Sequence, residues 1–64
     1  MCIATVYAEG TENSESIMQD VVKMRVMNGG VSLLDILGEE KHLDASIKSV
    51  DFIKHTVIIE MHKS

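Results

Sequence analysis

The triplet Asn28-Gly29-Gly30 constrains this chain more than any other stretch. Asn-Gly accepts the positive φ angles that a tight hairpin needs, so the segments on either side are drawn into antiparallel pairing. Before it, Val22, Met24 and Val26 alternate with Lys23 and Arg25, and the β-branched valines favour a strand over 21–28. Ile17, Val21 and Met24 also fit a helical stripe, so residues 15–20 are read as an irregular or single-turn entry. After it, Val31-Ser32-Leu33-Leu34-Asp35-Ile36-Leu37 is apolar enough to be buried on both faces or bulged near Leu33-Leu34.

The same reading extends to both ends. Residues 2–9 alternate, with Cys2, Ala4, Val6 and Ala8 on one face and Ile3, Thr5, Tyr7 and Glu9 on the other. Residues 10–16 are polar and form a loop, and Gly38-Glu39-Glu40 is a turn. Residues 41–53 read as a fourth strand with a bend near Ala45-Ser46, Lys54-His55 as a two-residue turn, and 56–61 as the fifth strand. His62-Lys63-Ser64 should fray. Five short strands without proline predict an all-β fold, a small five-stranded SH3-like barrel, as one domain over residues 1–64. Closure brings the first and last strands together. An antiparallel meeting would set His62 near Cys2 and His55 at the far end, where His55 could reach only the Cys2 of a second copy.

Size and composition narrow the classes. A chain of 64 residues has little core, and a single Cys excludes an internal disulfide, so self-association or a metal is the expected support. Only Tyr7 and Phe52 are aromatic, so the core is aliphatic, with Met18, Met24 and Met61 filling gaps. Apolar side chains on both faces of several strands predict a homodimer, with Ile3 and Tyr7 against the partner. A net charge of −4 excludes a nucleic-acid footprint. No run is apolar enough for a membrane span and no secretion signal opens the chain, so a cytoplasmic protein is expected.

Cys2 carries the most chemistry. The α-amine of Met1, the backbone nitrogen of Cys2 and its thiolate are spaced to close two five-membered chelate rings. Without Met1, the amine and thiolate of Cys2 still close one. Thiolate with nitrogen donors suits late divalent metals such as nickel(II), copper(II) or zinc. The plain alternative is a small buried hydrophobe. His42, His55 and His62 show no ligand spacing. His55, in a turn, is the preferred additional ligand; a frayed His62 is a poor one. Glu12, Glu15, Glu39 and Glu40 read as solvated turns, since no calcium-loop spacing is present. An enzyme is not expected, because Cys2 would need a base and oxyanion donors in a cleft.

Taken together, the opening Met-Cys, the short apolar strand and the acidic loop resemble the CooT-type nickel-binding accessory proteins of carbon monoxide dehydrogenase. Asp20-Val21-Val22-Lys23 before the glycine hairpin, Leu37-Gly38-Glu39-Glu40, Ile47-Lys48-Ser49-Val50-Asp51-Phe52 and Val57-Ile58-Ile59-Glu60 extend the resemblance over nearly the whole chain. It implies a homodimeric β-barrel that binds Ni(2+) through Cys2 as a metallochaperone. It also implies carbon monoxide dehydrogenase or its nickel-insertion machinery as partner. The histidines are not part of what it implies. The contrasting reading is an SH3-like protein-interaction module with no metal role, though such grooves are usually aromatic-lined.

Overall fold

The computed structural model describes residues 3–11 and 15–62. They form β1 (Ala4–Ala8), β2 (Met18–Met27), β3 (Gly30–Asp35), β4 (Glu40–Leu43), β5 (Ala45–Asp51) and β6 (Thr56–Met61). All six belong to one sheet, in the order β4-β3-β2-β1-β6-β5. The all-β expectation holds, while the count of five strands is corrected to six. The segment 41–53, read as one bent strand, breaks at Asp44 into β4, paired with β3, and β5, paired with β6. The two edges of the sheet are therefore consecutive in the chain and meet at one residue. The sheet is rolled but not closed, so the SH3-like barrel is corrected to an open six-stranded sheet.

The hairpin at Asn28-Gly29 forms as the sequence requires, with Met27 opposite Gly30 and the positive φ, 86°, on Gly29. Gly30 is needed for a different reason. A Cβ there would run into the carbonyl oxygen of Leu43 on the neighbouring β4. The expected irregular entry at residues 15–20 is instead partly strand, since β2 begins at Met18. Met18 is buried and packs into the core, which repays an extended backbone there.

The strand expected to end at Ile53 ends at Asp51, and the turn holds four residues, 52–55. The Asp51 carboxylate explains the extra length. Its Oδ1 accepts from the backbone N–H groups of Ile53 and Lys54, both at 3.0 Å, and so organises the loop itself. Phe52 and Ile53, read as strand residues, thus stand out in solvent at 83% and 90% exposure.

The core lies inside the roll and is aliphatic: Val6, Met18, Val21, Val31, Leu33, Ala45, Val57 and Ile59. β1 has neighbours on both sides and contributes Val6 at its centre. Met24 packs against this cluster, as expected, but Met61 does not; it is 43% exposed at the end of β6. The one buried polar residue among those described, Ser32, donates from Oγ to Glu40 at 3.2 Å. No helix is long and apolar enough to cross a membrane.

Gly30→Ala should destabilise the fold by about 1–3 kcal/mol in urea denaturation, because the methyl meets backbone and not a flexible side chain. Unchanged stability would mean that β4 does not press on the hairpin.

Candidate functional site

β1 pairs with β6 in parallel, Thr5 opposite Thr56 and Ala8 opposite Ile59. The Thr5 N–H donates to the His55 carbonyl at 2.9 Å. On its other side β1 pairs antiparallel with β2, Ala4 opposite Val21. The amino-terminal segment therefore enters the sheet between the turn 52–55 and Asp20. A shallow cleft of about 270 Å³ marks this end, lined by Ile3, Ala4, Thr5, Asp20, Lys54 and His55.

Two of these residues have unusual backbones. Asp20 (φ 56°) and His55 (φ 53°) are the non-glycine residues with positive φ among those described. That conformation costs an L-residue about 1–2 kcal/mol, and such strain clusters at sites of function. Each is held from outside. The Asp20 carbonyl accepts from the Ile36 N–H at 2.9 Å, and the β2–β3 register shifts between Val21 and Lys23, next in the chain. His55 ends the loop that Asp51 organises, and Thr56 Oγ1 donates to the Lys54 carbonyl at 2.9 Å.

An apolar groove of about 240 Å³ adjoins the cleft and shares Ile3, Ala4 and His55 with it. Val22, Met24, Val50 and Phe52 form its walls. The exposed Phe52 and Ile53 stand at the same end, so a cleft of mixed lining and an apolar surface meet around His55.

Ile3 is at this end of β1; Met1 and Cys2, which precede it in the chain, lie outside the described residues. His55 comes to the same end within one chain, which corrects the antiparallel meeting that set it at the far end. The reason is parity. In a meander of five alternating segments the first and last run in the same direction, and the bent β4–β5 unit counts as one segment. His62 is instead at the opposite end, and it is not frayed. Its N–H donates to the Asp44 carbonyl at 2.9 Å, and its ring bonds Asp44 and Ser46. His42 is exposed on β4, 3.8 Å from Glu40. Among the described residues no three His, Cys, Asp or Glu side chains gather as a metal cluster. Asp20 was missed in the sequence, where nothing signals its positive φ; His55 was recoverable from the parity of the strands.

Comparison with known proteins covers nearly the whole chain. The family model for CooT, the CO dehydrogenase accessory protein, matches residues 1–60. An uncharacterised protein of Methanothermobacter thermautotrophicus is 32% identical over 60 residues, covering 94% of this chain and 89% of its own. The crystal structure of a protein assigned as CooT from Carboxydothermus hydrogenoformans superposes with a TM-score of 0.84 at 24% identity, covering 97% of this chain and all of that one. At that identity the likeness is one of fold.

The strain at Asp20 and His55 is testable apart from any ligand. Asp20→Gly and His55→Gly should hold or raise the thermal midpoint, since glycine adopts positive φ freely. His55→Val should lower stability by about 1–2 kcal/mol. A loss of stability in both glycine variants, equal to that of valine, would show that these side chains hold the fold and not the backbone angle.

Proposed function

The chain belongs to the CooT family of CO dehydrogenase accessory proteins, and on that premise we propose that it binds nickel(II) at its amino terminus and supplies it to the enzyme. The observation that carries the proposal is the parallel β1–β6 pairing, which brings His55 to the end of the sheet where Met1 and Cys2 precede Ile3. The donor chemistry fits a late divalent ion. The amine of Met1, the Cys2 amide nitrogen and thiolate, and an imidazole from His55 form a nitrogen-rich set with one soft sulfur. Asp20, on the opposite wall of the cleft, supplies negative charge beside it.

In this reading the metal is cargo. Cys2 binds it, His55 tightens the hold within the same chain, and the open cleft leaves a face for transfer. The donors must lose protons to bind, so affinity falls as pH falls. The proposed location is the cytoplasm, and the client is carbon monoxide dehydrogenase or its nickel-insertion machinery.

The proposal includes a homodimer. The groove beside the cleft is apolar, with the exposed Phe52 in its wall and the exposed Ile53 next in the chain. A two-fold contact would bury the Phe52 of each copy in the groove of the other. This sets the interface around the turn 52–55, with Ile3 at its rim, and the two amino termini near each other. The same groove favours a second reading, a protein-interaction module without metal, in which a client segment occupies it.

Cys2→Ser should abolish the thiolate-to-nickel charge-transfer absorption and weaken binding at least tenfold, about 1.4 kcal/mol. His55→Gly should weaken nickel binding while the fold is retained, and His62→Ala should leave it alone. Unchanged affinity in Cys2→Ser would end the metal reading and leave the interaction module.

Light scattering at micromolar concentration should give twice the chain mass of 7.1 kDa. Phe52→Asp should return it to one chain mass without unfolding, since Phe52 is 83% exposed. A monomeric wild type, with and without nickel, would defeat the dimer.

A further inference from the structure

We propose that Ser46, His62 and Asp44 form a second site, at the opposite end of the sheet from Ile3, in which Ser46 is a nucleophile for acyl transfer from small apolar esters. The three side chains form one chain of hydrogen bonds. His62 Nδ1 lies 2.8 Å from Asp44 Oδ1, and His62 Nε2 lies 2.6 Å from Ser46 Oγ. An ionised carboxylate only accepts, so the bond to Asp44 puts the ring proton on Nδ1. Nε2 then presents its lone pair to the Ser46 hydroxyl. A nucleophile in hydrogen-bond reach of a base, with the base oriented by a third group, is the arrangement that activates a serine.

The backbone sets this geometry independently of the side chains. Asp44 is the joint between β4 and β5, and its carbonyl accepts from the His62 N–H at 2.9 Å. Ala45, next to it, is buried and pairs with Met61, and Ser46 pairs with Glu60. Ser46 is thus fixed on β5, and Asp44 and His62 flank the paired ends of β5 and β6 at the corner where the sheet folds over.

A cleft of about 300 Å³ lies against Ser46 and His62. Its walls include Val26, Met27 and Ile47, which are 72%, 40% and 38% exposed and offer an apolar seat for an acyl chain. Gly29 and Gly30 line the same cleft. The space beside Gly29 is open, so a substrate can approach the turn there.

The chemistry balances within these groups and water. Ser46 Oγ bonds to the ester carbonyl carbon as its proton passes to His62 Nε2, and the carbonyl π pair moves onto oxygen. Collapse breaks the bond to the alcohol oxygen, which takes the proton from Nε2. Water then adds to the acyl carbon, giving a proton to Nε2, and Ser46 departs and recovers that proton. The net reaction is ester and water to acid and alcohol. Because the His62 and Asp44 side chains are 39% and 74% exposed, the substrates it suits are activated esters.

The test is labelling by a fluorophosphonate probe, read by intact mass and mapped by peptide, with p-nitrophenyl butyrate hydrolysis followed in parallel. One adduct at Ser46 is expected, absent in Ser46→Ala. Labelling and hydrolysis should both fall at least tenfold in His62→Gln and also decline in Asp44→Asn. Thermal unfolding controls for the fold, and the exposed Ser46 hydroxyl should not affect it. No adduct on the wild type, an adduct elsewhere that persists in Ser46→Ala, or equal labelling in a folded His62→Gln would each overturn the proposal and leave the three residues a structural tie.

Discussion

The parallel contact between β1 and β6 is the constraint on which the rest of the structure depends. Every other pairing in the sheet is antiparallel and follows the chain. This one joins the two ends. It seats β1 as an interior strand and buries Val6, Val57 and Ile59 against each other's neighbours. It also decides which histidine stands beside the start of β1.

The corner at Asp44 makes that contact possible. One residue turns a continuous stretch from the β3 edge to the β6 edge, so the sheet can roll without a long crossover. Two features press on that corner from either side. Gly30 lets β4 come within reach of the hairpin, and the His62 N–H ties β6 to the Asp44 carbonyl. A chain this short has few side chains to bury, and the roll lets one aliphatic cluster serve both halves of the sheet. Its cost is an apolar remainder outside. Phe52 and Ile53 at one end and Val26 at the other are mostly exposed.

The ends of the sheet differ in chemistry. At the amino-terminal end two residues with positive φ, Asp20 and His55, flank the incoming chain beside an apolar groove. At the other end Asp44, His62 and Ser46 are joined by side-chain hydrogen bonds. Both clusters are assembled from positions remote in sequence, and each depends on the same strand order. Much of the amino-terminal end could be read in advance: His55 in a turn and the alternation of β1. Asp20 could not, since an Asp inside an alternating stretch carries no mark of its backbone angle. The strand through Phe52 was misread because its apolar alternation continues where the Asp51 carboxylate has already started a turn.

The sequence by itself determined the all-β class, the glycine hairpin and the span of β6, because these rest on local backbone preference and on a period of two. Tertiary structure alone decided that 41–53 divides between two edges, that β1 and β6 meet in parallel, and that His55 and not His62 lies beside the start of β1. Those outcomes depend on which strands bury each other's apolar faces, a sum over distant residues that no local pattern contains. His62 shows the difference most plainly. As a tail residue it has no reason to be ordered; beside Asp44 and Ser46 it has a hydrogen-bond partner for its backbone and for each ring nitrogen.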